Sequence, residues 1–258
     1  MNDKTLVDVV TTIFQSAVLI FVIVRTLQLM RCVKSFFLPI FFVLSMSSYL
    51  LSNLYWIAYD LLKPDTRMPI AANEIGECAM VLLLCAGLES VLHDKKKIAG
   101  EVLFAFLYTS LNIALWIVWS GEWFQDILFG IPYIYFMWIL IRGLRSRGIL
   151  SPKELRFAAA MCIFVSTMLL SLQFVHGFIH ELNKMLNYIA AFTLIAWLGF
   201  KSLRSRNFFV STTLFLWTNL VMFSSLDQYY YMALFANTVA LPIMFYSMKK
   251  ELAVNGLR

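Results

Sequence analysis

Residues 36–61 read FFLPIFFVLSMSSYLLSNLYWIAYDL, and no charge interrupts the chain between Lys34 and Asp60. A helix needs about 20 mostly apolar residues to cross the hydrocarbon core of a bilayer, at a rise of about 1.5 Å per residue. This run is long enough. It is also continuous, without the in/out alternation of about ten residues that marks a strand of a membrane barrel. Eight further stretches meet the same requirement: 6–25, 70–92, 99–119, 126–142, 157–178, 184–201, 208–225 and 229–248. The sequence therefore predicts an all-α integral membrane protein. Its expected form is a bundle of about nine transmembrane helices, built largely of hairpins, making a single transmembrane domain over residues 1–258.

Composition excludes the soluble alternative. The 258 residues are 61% hydrophobic and 14% charged, with a mean hydropathy of +0.77. Soluble globular domains run at about 45–50% apolar, because a large share of any globule faces water. The charges collect between the apolar runs, so the net charge of +6 speaks of membrane orientation and not of nucleic acid. Asp3 and Asp8 stand where a cleavable signal would carry basic residues, so the first run is expected to be a true span. The cysteines Cys32, Cys78, Cys85 and Cys162 form no CxxC pair, and a disulfide framework or thiolate zinc site is not expected.

Charge also sets the expected orientation. With nine spans, one side receives Arg25, Arg31 and Lys34; Lys95 to Lys97; Arg142, Arg145, Arg147, Lys153 and Arg156; Lys201, Arg204 and Arg206; and Lys249, Lys250 and Arg258. The other receives only Lys4, Lys63, Arg67 and Lys184. Basic loops stay in the cytoplasm, which predicts an extracytoplasmic N-terminus and a cytoplasmic C-terminus. The weakest boundary is the last, marked only by Ser224 to Gln228. After the first span the chain reads as four hairpins. Their rising helices carry recurring hydroxyl, amide and aromatic residues: Ser48, Ser52 and Trp56; Thr109, Asn112 and Trp116; Ser166, Thr167 and Ser171; Thr212, Thr213 and Trp217. The spacings do not match well enough to establish a duplication. Trp56, Tyr59, Trp116, Trp119, Trp123 and Tyr229 to Tyr231 read as an interfacial belt.

Polar residues inside a bilayer are costly, and each calls for an explanation. At 100° per residue, Ser45, Ser48, Tyr49, Ser52, Trp56, Tyr59 and Asp60 share one face of the second span. Glu74, Glu77, Cys78, Cys85 and Glu89 share a face of the third. The two spans are expected to be antiparallel neighbours whose polar faces meet. That makes Ser52, Trp56, Asp60, Asn73, Glu74, Glu77 and Glu89 candidate ligand-binding residues of an outward-facing pocket, with Arg67 close by. Clustered carboxylates suit a cation, a small amine-bearing ligand or a proton-linked response. The plainer role for Glu74 and Glu77 is to complement the helix dipole at headgroup depth.

A second cluster, Gln173, His176, His180 and Glu181, is expected at the outer end of the sixth span. Histidines at i and i+4 of a helix face the same way, which suits zinc with Glu181 or Glu74 as an oxygen ligand, a pH-sensing role, or simply an interfacial position. An HxxxH pair with membrane acids such as Asp60 or Glu74 resembles the intramembrane hydrolases of the alkaline ceramidase and adiponectin-receptor type. That resemblance implies seven helices with the pair in the last, whereas here it falls in the sixth run of nine, and it assigns no family.

Absences narrow the field. No lysine lies mid-span for a retinal Schiff base, and there is no Walker motif, GxSxG or dinucleotide fingerprint. Glycine and proline are scarce, at 10 and 6, and Gly76, Gly87 and Pro242 are the main mid-span breakers, which counts against broken transporter helices. The leading expectation is a sensor or receptor-like module for a cation, small amine or pH, without enzymatic activity. Its partners would be membrane lipids and a cytoplasmic or membrane signalling protein, with no resident cofactor. The alternatives are a cation or small-molecule transporter, using Glu89, and a membrane-embedded metal-dependent lipid hydrolase, the one reading that calls for zinc.

Overall fold

The computed structural model describes residues 3–33, 35–63, 72–92, 94, 96–222 and 227–255. Among these residues every regular element is a helix: α1 (Asp3–Met30), α2 (Phe37–Leu62), α3 (Ala72–Val91), α4 (Ala99–Ser120), α5 (Trp123–Ser146), α6 (Pro152–Ser171), α7 (Phe178–Ser205), α8 (Phe208–Met222) and α9 (Asp227–Asn255). Seven of them, α1, α2, α4, α5, α6, α7 and α9, are long and apolar enough to cross a bilayer. The chain is an all-helical, multi-pass membrane protein. Its exposed surface agrees: Leu6, Val10, Phe14 and Phe21 on α1, and Met185, Ile189 and Phe192 on α7, face outward. Lipid tails solvate such side chains without the penalty that water imposes.

Several helices run beyond or stop short of the hydropathy reading, and at α5 and α6 the local reasons are visible. The expected span 157–178 is replaced by a helix that starts earlier and stops at Ser171. Its start is fixed by a capping box, in which the Ser151 side chain accepts from the Glu154 backbone N–H and the Glu154 carboxylate accepts from the Ser151 N–H. Its end is followed by a turn that closes at Gly177, whose φ of +68° is left-handed and costs a glycine little. Phe174 and Val175 make this turn look like helix to a hydropathy window. The expected span 126–142 instead runs through Ser146, because Arg142 and Arg145 both find partners on the protein. The break expected at Ser224 to Gln228 falls largely outside the described residues, and Asp227 opens α9.

The chain divides into two compact units. The first holds residues 3–91 with the last turns of α9, from Met248. In it α2 packs between α1 and α3. Phe42, Met46 and Tyr49 of α2 are buried, as are Met80, Leu84 and Leu88 of α3. Ser45 Oγ donates to the Met80 carbonyl at 2.8 Å, and Asn53 Nδ2 donates to Gln15 Oε1 on α1 at 2.8 Å. A Cβ on Gly76 would lie 3.0 Å from both the Ser48 carbonyl oxygen and Ser52 Cβ, so α3 meets α2 there almost at backbone level.

The second unit holds residues 92–247. Its helices pack as α4 on α5, α5 on α8, α4 on α6, α6 on α7 and α7 on α8. Glycine again marks the tight places. Gly130 of α5 faces Ile113 of α4, and a Cβ on Gly143 would lie 2.0 Å from the Phe209 ring of α8. Pro132 lies inside α5 and Pro242 inside α9. Each withholds the N–H that would bond four residues back.

The Gly76 contact is directly testable. Gly76→Ala is expected to cost about 1–3 kcal/mol, the usual range for overpacking. Gly199→Ala on α7, where nothing lies within 4 Å of the added carbon, should be neutral or slightly stabilising. Thermal unfolding of both variants in the same detergent makes the comparison. Equal melting temperatures would refute the close approach of α2 and α3.

Candidate functional site

The α2–α3 face forms where the residue pattern puts it. Ser45, Tyr49 and Ser52 are buried on α2, Asn73 is buried on α3, and Trp56, Asp60, Glu74, Glu77 and Glu89 are half-buried. The acids are distributed in pairs. Asp60 lies within electrostatic reach of Asp8 at the start of α1, and Glu77 within reach of Glu74 one turn earlier on α3. Glu89 sits near the far end of α3, in reach of Cys85. Arg67 is outside the described residues. Two acidic pairs therefore lie on the first unit, one where α1 begins and α2 ends and one where α3 begins; together they are called the acidic rim. Glu74 is in the first turn of α3, where a negative charge complements the helix dipole.

The histidine pair has a different geometry from the one its spacing implies. His176 lies in the turn between α6 and α7, while His180 is in the first turn of α7 beyond Gly177. The two are not one turn apart on a single helix, so the shared facing that i and i+4 would impose is lost. His180 Nδ1 lies 3.0 Å from the Val175 carbonyl oxygen. A carbonyl only accepts, so Nδ1 carries the proton, and the ring ties the turn to the new helix. Glu181 follows in the first turn of α7. Among the described residues, no three His, Cys, Asp or Glu side chains gather where they could hold a metal ion.

The second unit contains polar groups that hydropathy alone does not reveal. Ser166 Oγ of α6 donates to Asn112 Oδ1 of α4 at 3.1 Å and lies 3.3 Å from the Tyr108 hydroxyl. Asn187 Nδ2 of α7 donates to the Val165 carbonyl of α6 at 2.8 Å. Tyr133 of α5 donates to Asn219 Oδ1 of α8 at 2.5 Å, and Asn237 Nδ2 of α9 donates to the Phe215 carbonyl of α8 at 3.1 Å. These four asparagines are essentially fully buried. Asn112 and Ser166 stand out in the sequence as recurring polar residues. Tyr108, Tyr133, Asn187, Asn219 and Asn237 do not, although an amide inside an apolar run is itself the signal. Trp116, read as part of the interfacial belt, also bonds across a helix contact: its indole N–H donates to the Leu220 carbonyl at 3.0 Å, and its ring meets Tyr133 edge-on.

One end of this unit carries an ionic cluster. Arg145 Nε meets Glu101 at 2.6 Å, one terminal nitrogen meets Asp94 at 2.9 Å, and the other donates to the Lys96 carbonyl at 3.1 Å. Three bonds from one planar guanidinium fasten the segment before α4 to the end of α5. The Lys96 backbone N–H and then the Arg145 guanidinium hold the Asp94 carboxyl below the ordinary carboxylate range. Lys201 of α7 pairs with Glu154 of α6.

No protein-family model, curated protein or solved structure matches the chain. The site rests on its own geometry.

The buried amides make a quantitative prediction. A double-mutant cycle on Tyr133→Phe and Asn219→Leu, read by reversible unfolding in mixed micelles, should show a coupling of about 0.6 kcal/mol and at most about 1.7, the range found for such bonds in membrane bundles. Zero coupling would mean that the α5–α8 bond does not contribute to stability.

Proposed function

We propose that this chain is a sensor or receptor-like membrane module whose acidic rim receives a small cation or amine-bearing ligand. The observation that carries the reading is the company of the carboxylates. Asp60 and Glu77 are half-buried, and the charge each feels most is another carboxylate, Asp8 or Glu74. Like charges in a poorly solvated place are relieved by a bound cation or by a proton. Beneath the rim, the Ser45–Met80 and Asn53–Gln15 bonds and the Gly76 contact hold the three helices together. A ligand at the rim would therefore act on a braced element, which suits a receptor better than a passage.

A transporter is the second reading, favoured by Glu89, a carboxylate on α3 near the opposite end from Glu74 and Glu77. In that reading Glu89→Gln slows flux in proteoliposomes.

The topology belongs to the same proposal: all nine helices cross, with the N-terminus outside. The 20 residues of α3 reach about 30 Å, enough for a hydrocarbon core in spite of Glu74, Glu77 and Glu89. The strong bias of basic residues to alternate loops supports the orientation. In a background lacking the native cysteines, Lys96→Cys should resist a membrane-impermeant maleimide on intact cells, and Glu122→Cys should react. Labelling at 96 from outside would mean that α3 does not cross.

The ligand reading is tested by thermal unfolding in nanodiscs with choline, tetramethylammonium and spermidine. A ligand at 100 times its Kd adds about 2.7 kcal/mol to the folded state. At least one of these cations is expected to raise the wild-type melting temperature, and Glu77→Gln is expected to abolish that rise. Identical responses from the two proteins, or no response to any of the cations, would overturn the cation-receptor reading.

A further inference from the structure

We propose that a buried water is bound where α4, α5 and α8 of the second unit meet, held by the side-chain amide of Asn219. The site is independent of the acidic rim. Asn219 is 1% exposed, and its Oδ1 accepts from the Tyr133 hydroxyl of α5. Its Nδ2 is buried and has no acceptor among the described residues. A carboxamide has two polar ends, and one hydroxyl engages only one of them. Turning the amide over would exchange oxygen for nitrogen and leave the other atom unmet in the same place. The orphan is therefore a property of the site and not of the rotamer. Asn112 shows the contrast, because both its ends are met: Oδ1 accepts from Ser166, and Nδ2 donates to the Tyr108 carbonyl at 2.9 Å. A buried polar atom such as Asn219 Nδ2 calls for a partner.

A closed circuit of contacts fixes what surrounds this amide. The Tyr133 hydroxyl bonds Asn219, and the Tyr133 ring meets the Trp116 ring edge-on, with centroids 5.6 Å apart. The Trp116 N–H reaches the Leu220 carbonyl at 3.0 Å, and Leu220 is the residue after Asn219. The circuit brings two oxygens to the amide, the Tyr133 hydroxyl and the Leu220 carbonyl. Leu220 is third from the end of α8, which stops at Met222, so its carbonyl has no donor within the helix. A carbonyl oxygen has two lone pairs, and the Trp116 N–H uses one. A water that accepts from Asn219 Nδ2 and donates to these oxygens makes about three bonds, the usual number for a buried water. Tyr133 is 3% exposed and Leu220 1%. Such burial selects water over any larger hydroxyl-bearing molecule. The water then ties the end of α8 to α4 and α5 together.

The test is X-ray hydroxyl-radical footprinting of the full chain in nanodiscs, read residue by residue by mass spectrometry. The radicals form from water and react beside the water that made them, so a buried side chain is oxidised quickly only next to a bound water. Tyr49 of α2 is the internal standard, a tyrosine buried like Tyr133, at 1% exposed against 3%. Tyr133 is expected to be oxidised several-fold faster than Tyr49. Asn219→Leu, which keeps the size of the side chain and removes both polar atoms, should bring Tyr133 down to the rate of Tyr49. Asn237→Leu removes a different buried amide, the one that bonds the Phe215 carbonyl, and should leave Tyr133 fast. Equal rates for Tyr133 and Tyr49 in the wild type would overturn the proposal, and that comparison stands even where Asn219→Leu fails to fold. A fast Tyr133 that Asn219→Leu does not slow would overturn the assignment to Asn219. An equal slowing in Asn237→Leu would overturn it too, by reducing the effect to packing in general.

Discussion

The structure depends on one constraint: in lipid, a buried polar group must find its partner on the protein. An amide facing hydrocarbon has no water to fall back on, and the cost of leaving it unpaired is several kcal/mol on apolar-transfer scales. The chain meets this constraint with a short list of bonds between helices. Asn53 joins α2 to α1, Asn112 joins α4 to α6, Asn187 joins α7 to α6, Asn219 joins α8 to α5, and Asn237 joins α9 to α8. Each bond is modest in energy. Its value is directional, because lipid and leucine are equally apolar and provide little reason for one helix to choose a neighbour or a register. Amides supply that choice.

Glycine supplies the other half of the specificity. With only ten glycines in the chain, three stand at tight helix contacts: Gly76 against the Ser48 carbonyl, Gly130 against Ile113 and Gly143 against Phe209. Close approach increases dispersion contacts and brings the short side chains of serine and asparagine within bonding distance of the next helix. Ser45 can reach the Met80 carbonyl because α3 already lies against α2. Packing and polar pairing therefore support each other, and low glycine content does not by itself indicate loose packing.

The helical membrane class is written plainly in the sequence, because apolar length is a property of the chain that needs no tertiary contact. The α2–α3 hairpin was legible too, since the 100° periodicity puts Ser45, Tyr49 and Ser52 on one face and that face is the buried one. What was not legible depended on events that hydropathy averages away. The α6–α7 turn contains Phe174 and Val175, so it scores as helix, and only the backbone at Gly177 ends it. That single turn changes the histidines from a shared face into a turn residue and a helix-start residue. Trp116 and Asn219 were hidden for a related reason. Which carbonyl an indole bonds across a helix contact depends on a partner far away in sequence, here Leu220 for Trp116.

The same constraint explains why charge is found where it is. Arg145 uses every nitrogen of its guanidinium, and Lys201 pairs with Glu154, so at the basic end of the second unit the fold satisfies many of its own charges. The acidic rim of the first unit is arranged the other way, with carboxylate beside carboxylate. A protein that pairs many of its buried polar groups nonetheless sets acids beside each other at one helix-hairpin end. Like charges set close together oppose stability, and the surrounding Ser45, Gln15–Asn53 and Gly76 contacts hold the hairpin together. Carboxylates set side by side on a braced scaffold are the physical basis of the proposal that the rim receives a cation.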